Sequence, residues 1–125
     1  MNDKRKHRNQ MSTEEIACVE ALVHSQSRWV VGKHAKGRMA RKGITVTQVF
    51  ETLGEGQVVE INRNNDLCAL FRKDYGGHAV CVVVSLQTRW VVTMWKNAVW
   101  DTHSTLDKDN YCWDVDVQKE LAAFA

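Results

Sequence analysis

The chain has 125 residues, 44% hydrophobic and 26% charged, with a formal net charge of +2. That size and balance suit one globular domain and exclude wholesale disorder, a fibrous repeat or a second domain with its own core. The longest apolar run, residues 79–84, falls far short of the roughly 20 residues that cross a bilayer, so no membrane contact is expected.

Charge is unevenly spread along the chain. Residues 1–42 carry ten Lys or Arg against four acids, residues 43–100 carry five of each, and residues 101–125 carry six acids against two lysines. A front half that faces a polyanion, with a tail that avoids it, is the pattern this describes. Residues 1–11 hold Lys4, Arg5, Lys6 and Arg8 and read as a basic flexible arm able to touch phosphates; residues 12–125 read as a single domain. No apolar segment or small-residue cleavage site follows the arm, which argues against a secretory signal and for the cytoplasm. Cys18, Cys68, Cys81 and Cys112 are far apart, without a zinc clip or redox motif, and read as small buried hydrophobes in a reducing compartment.

The first helix starts at Ser12, with Glu15 at the reciprocal capping-box position. It runs to about Arg28, with Ile16, Val19, Leu22 and Val23 on one face. A second, short helix covers residues 34–42 and ends on Gly43 as a left-handed cap. A third begins at the N-cap Thr45, buries Val46, Val49, Phe50 and Leu53, and stops at Gly54-Glu55-Gly56. From Gln57 the period becomes strand-like. Strands 58–63 and 67–73 flank the turn Asn64-Asn65-Asp66, and strands 79–86 and 89–96 complete an antiparallel meander. The last two are apolar on both faces and read as central strands. Strict alternation sends Val91, Thr93 and Trp95 one way and Trp90, Val92 and Met94 the other, with Trp90 and Trp29 in the core. After an irregular loop, a short terminal helix is expected within residues 111–124, capped near Asp114.

His34 is the first candidate for chemistry. Arg38, Arg41 and Lys42 follow it at helical spacing, so the four heads can converge on one ligand. An imidazole can take the proton of a ribose 2′-hydroxyl while guanidiniums hold the scissile phosphate, which is RNA cleavage without a metal. The competing reading is a surface histidine on a solvated basic helix. Arg63, Arg72 and Lys73 can extend a phosphate track, Trp95 can stack a base, Thr93 can bond a phosphate oxygen, and His103 can supply a second acid or base. Against these stand a solvated strand edge, a satisfied strand neighbour and a solvated loop. His7, His24 and His78 show no partner in the sequence. No ligand spacing suits a metal, and no Gly-rich loop precedes a helix, so neither metal nor cofactor is expected.

The segment His34-Ala35-Lys36-Gly37-Arg38-Met39-Ala40-Arg41-Lys42-Gly43-Ile44-Thr45, backed by a meander ending Val92-Thr93-Met94-Trp95, resembles a small bacterial and phage family, the domain of unknown function numbered 4258. The likeness covers about residues 29–97 and follows that family's opening His-Ala-x-x-Arg-Met-x-x-Arg-Gly-Ile pattern. Lys42 stands between Arg41 and Gly43, so either Arg41 or Lys42 fills the second arginine's part. The family looks like a relative of the barnase, EndoU, colicin and RelE ribonuclease superfamily. The resemblance implies an α+β fold, with N-terminal helices packed on a curved antiparallel sheet of about four strands and a short C-terminal helix. It also implies a metal-independent, toxin-like endoribonuclease of phage or mobile-element origin that forms cyclic 2′,3′-phosphates, with His34, Arg38, Arg41 and Thr93 as the carried-over residues. A free-standing product acting on RNA is expected, with the ribosome, a host protein or a cognate inhibitor as further partners. The alternative is a non-catalytic module of the same fold that binds RNA or a host protein.

Overall fold

Five strands form one antiparallel sheet in sequence order: β1 (Lys4–His7), β2 (Gln57–Asn64), β3 (Asp66–Asp74), β4 (Ala79–Ser85) and β5 (Val91–Asn97). Helices α1 (Thr13–His24), α2 (Lys33–Lys42) and α3 (Val46–Glu55) come between β1 and β2, and α4 (Val117–Leu121) follows the sheet. The computed structural model describes residues 4–101 and 111–124; His103 lies outside them. The expected α+β class holds, with five strands instead of four.

The additional strand is the segment expected to be a flexible arm. From Lys4 on it pairs with residues 63 to 60 of β2, and Lys6 and His7 are buried. Two of its charges are met by acids elsewhere in the chain. Arg5 donates to both Glu60 oxygens at 3.0 and 2.8 Å, and Lys6 Nζ lies 3.1 and 3.3 Å from the Glu15 oxygens and 2.7 Å from the Val115 carbonyl. Neutralised in this way, Arg5 and Lys6 can enter a sheet without an uncompensated buried charge, and Lys4 is exposed.

The helix signals hold at their starts. Ser12 and Glu15 exchange side-chain and backbone hydrogen bonds at the head of α1, and Thr45 and Gln48 do the same for α3. Gly43 closes α2 at φ +66, a conformation costly for a side chain. α1 stops at His24, four residues before the expected end. The Ser25-Gln26-Ser27 stretch leaves the helix, and the Arg89 guanidinium takes the Gln26 side chain. In α3 only Val49, Thr52 and Leu53 are buried, while Val46 and Phe50 are exposed. α4 is capped by Asp116 instead of Asp114 and lays Val117 and Leu121 into the core beside α1.

The helices cover one face of the sheet, where Val19, Val23, Met39, Leu53, Phe71 and Met94 share the main core. The other face carries a small cluster of Val59, Leu70 and Cys81 joined by Val83 and Trp95. β4 is central, as its apolar character on both faces requires, but β5 is an edge strand. A bulge at Val83/Val84 puts Val84 opposite Val91 and Val83 opposite Thr93, so Val91 and Met94 both enter the core and Val92 turns out, 45% exposed. Strict alternation fails there because a bulge inserts one unpaired residue. All four cysteines are free. Burial pushes the thiols of Cys68 and Cys81 up to about 11, which keeps them unreactive, while Cys112 is exposed. Among the described residues no helix is long and apolar enough to cross a membrane.

Glu15 sets a pH dependence. Burial works to raise its carboxyl, but the Ser12 and Val117 N–H donors and the Lys6 ammonium hold it below its ordinary 4.5. A carboxyl lowered by folding contributes stability above its unfolded value and loses it as pH falls. Thermal melts should therefore be steady near neutrality and fall below about pH 4.5, and Glu15→Gln should flatten that fall.

Candidate nucleic-acid interface

α2 is fastened alongside β5. Just before the helix, the Val30 N–H donates to the Arg89 carbonyl and the Val91 N–H to the Val30 carbonyl, both at 2.8 Å, forming a parallel bridge between Val30 and Trp90. At its far end, a Cβ on Gly43 would lie 3.4 Å from Lys96 Nζ. The helix thus runs in the same direction as the edge strand, with Trp90 at its head and Lys96 at its foot. Ala35 and Met39 turn into the core. His34, Lys33, Lys36, Arg41 and Lys42 are exposed and Arg38 is half-buried.

The Arg38 Nε–H donates to His34 Nε2 at 3.2 Å, so Nε2 is the accepting nitrogen of this contact. No acid occurs anywhere between Glu20 and Glu51 in the sequence. Among the described residues no carboxylate comes within ion-pair distance of Lys33, Lys36, Arg38, Arg41 or Lys42. The first turn of α2 holds Lys33 and Lys36 and no acid, opposing the helix dipole, and positive heads at positions 38 and 42 repel one another. Such a helix is poorly arranged for its own stability and well arranged for an anion.

The other predicted cations are differently placed. Arg63 pairs with Glu120 at 2.9 Å. Arg72 donates to the Ala98, Val99 and Asp101 carbonyls and lies 3.9 Å from Asp74. Lys73 is 3.6 Å from Glu55 and stands over the Tyr75 ring. A cleft of about 360 Å³ lies among Arg8, Glu55, Arg72, Lys73 and Asp74. Its cations are already engaged with acids or carbonyls, so size alone does not make it the better anion site.

Thr93 faces the layer opposite α2, since its partner Val83 belongs to the small cluster on the far face. Trp95 is half-buried in that same cluster. The structure therefore joins His34 and Arg38 directly, keeps Arg41 and Lys42 on the same helix, and separates Thr93 and Trp95 from them by the thickness of the sheet. Trp90, expected in the core, is 49% exposed. It borders a cleft of about 240 Å³ with Gly32, His34, Ala35, Val91 and Val92. Among the described residues the other histidines are His7, His24 and His78, each with a structural contact, although the buried His78 Nε2 has no hydrogen-bond partner. His24 Nε2 meets the Gly56 carbonyl at 2.8 Å, His7 Nδ1 accepts the Asn9 N–H at 3.0 Å, and His78 stacks on Tyr75.

These features define an α+β domain that carries an acid-free basic helix along the edge of an antiparallel sheet, with a histidine and an open tryptophan at its head. Residues 31–96, more than half of the chain, match the family described as Domain of unknown function (DUF4258), and the chain belongs to that family. The match takes in α2, α3 and β2 to β5 up to Lys96, while β1, α1 and α4 lie outside it. No curated protein and no solved structure matches the chain.

Proposed function

We propose that the chain is a cytoplasmic, toxin-like endoribonuclease in which α2 binds RNA phosphates and His34 removes the 2′-hydroxyl proton. The observation that carries this reading is the row of unneutralised cations on α2 around a histidine already hydrogen-bonded to one of them. Arg38, on turning from His34 to a phosphate, frees the Nε2 lone pair. That nitrogen accepts the 2′-hydroxyl proton, the 2′-oxygen bonds to phosphorus, the bond from phosphorus to the 5′-oxygen breaks, and the leaving oxygen takes a proton from solvent. A cyclic 2′,3′-phosphate and a 5′-hydroxyl result. Arg38 and Arg41 offset the charge that develops on the phosphoryl oxygens, so the step requires no metal. The placement of Thr93 on the opposite face favours a second reading, a binding module that uses the same helix without cleavage.

Both readings make α2 the phosphate surface, and salt dependence tests that. For single strands, each phosphate that a cation neutralises adds about 0.7 to the slope of log affinity against log salt. Anisotropy titrations with a short unstructured RNA over a range of salt should show Arg41→Gln with Lys42→Gln reducing the slope by about 1 to 1.5. Arg63→Gln with Lys73→Gln should leave the slope unchanged. Equal reductions from the two pairs would remove α2 from its assigned role.

A further inference from the structure

The head of α2 and the start of β5 form an apolar shelf beside His34. Val30, Trp90 and Val92 are 40%, 49% and 45% exposed, an unusual grouping next to a strongly basic helix. The ring of Trp90 lies on the bare backbone of Gly32, where an added Cβ would collide with the ring at Cζ3. Its backbone is held from both sides: the Trp90 N–H donates to Thr88 Oγ1 at 3.3 Å, and the Trp90 carbonyl accepts the Ser85 N–H at 2.9 Å. The Val30 bridge then ties this strand start to the head of α2. The tryptophan is therefore fixed in place while one side of it stays open, which is how a binding platform avoids an ordering cost when a ligand arrives.

We propose that Trp90 is the stacking platform for one nucleobase of a single-stranded RNA whose adjoining phosphate lies on the His34–Arg38 row. This inference rests on α2 being a phosphate surface. Three features select a base as the occupant. The neighbouring helix is cationic without an acid, which matches a polyanion. The cleft of about 240 Å³ is smaller than the pockets that take drug-sized ligands and suits a single ring system. Gly32, having no side chain, lets the indole close onto the backbone, and the part of the ring turned away from Gly32 is what stays open to a flat partner. A base on Trp90 would hold the strand beside His34, so Trp90 is a positioning residue for the reaction and touches the nucleotide without taking part in proton transfer. Because stacking tolerates any base, the site accepts unpaired RNA with little preference for sequence and rejects a paired duplex.

The test uses Trp90→Leu and Trp90→Phe with two probes, an unstructured oligoribonucleotide and the same strand with its bases removed, read by anisotropy over a range of salt. Trp90→Leu should weaken the base-bearing strand by about 5- to 100-fold and Trp90→Phe by less, both with the wild-type salt slope. The abasic strand should bind wild type and Trp90→Leu alike. Weaker binding of both probes would overturn stacking, since it would mean that α2 itself had shifted. Unchanged affinity for the base-bearing strand would also overturn it and leave the shelf to a protein partner, with the α2 surface intact. A wild-type protein that binds neither strand would overturn the phosphate surface and this inference together.

Discussion

Replacing Lys6 by methionine is expected to lower the unfolding free energy by about 3–5 kcal/mol, because it strands a buried carboxylate. Lys6 is 7% exposed and Glu15 8%. The ammonium serves both Glu15 oxygens and the Val115 carbonyl, while Glu15 also accepts the Ser12 and Val117 N–H groups. This one ion pair therefore joins β1, the head of α1 and the approach to α4. The more open, half-buried pair Arg63–Glu120, with each side chain 31% exposed, is worth about 1 kcal/mol or less, and Arg63→Gln provides the comparison. For a domain stable by about 5–15 kcal/mol, the Lys6 change removes a large share. Urea unfolding at neutral pH reads it, and Lys6→Met combined with Glu15→Leu should recover much of the stability because no lone charge remains. A Lys6→Met effect no larger than that of Arg63→Gln would contradict the account of β1.

The second large effect is expected at the proposed site. His34→Ala should reduce cleavage by about 10²- to 10⁴-fold, the usual contribution of a positioned general base, with RNA affinity close to wild type because the cations of α2 remain. Arg38→Ala should differ in kind. It removes a phosphate ligand as well as the donor that orients the imidazole, so both the rate and the salt slope should fall. Single-turnover rates on a labelled RNA, taken beside binding titrations, separate the two. Equally weakened binding in His34→Ala would place the histidine in recognition instead of proton transfer.

Local chemistry makes much of this fold legible. The boxes Ser12/Glu15 and Thr45/Gln48, the left-handed Gly43 and the Asn65 turn at φ +80 involve residues a few positions apart, and their patterns show in the sequence. β1 is not legible for the opposite reason. The partners that neutralise Arg5 and Lys6 include Glu60, 55 residues away, and a cluster of cations read alone describes an arm. Trp90 departs from its expected place because a bulge at Val83/Val84 breaks the alternation of β5, and an edge strand reads like a central one when its face happens to be apolar.

The candidate row His34, Arg38, Arg41 and Lys42 follows from helical spacing alone. The sequence also shows a contrast with Arg72 and Lys73. No acid lies between positions 20 and 51, whereas Asp74 sits next to Lys73 in the sequence and two positions from Arg72. Of Arg63, Arg72 and Lys73, only Arg72 lies near that neighbouring acid, while Arg63 and Lys73 are engaged by Glu120 and Glu55, so contacts distant in sequence decide them. The failure of Thr93 to join the row depends on which face of β5 it occupies, and strand pairing fixes that.

The most direct measurement is incubation of the purified protein and of His34→Ala with a labelled RNA pool in EDTA, followed by analysis of the product ends. Cyclic 2′,3′-phosphate and 5′-hydroxyl ends are expected from the wild type, and about 10²- to 10⁴-fold fewer of them from the variant. Intact RNA with the wild type, with or without added ribosomes, or the same products in equal amount from His34→Ala, would contradict the role assigned to His34.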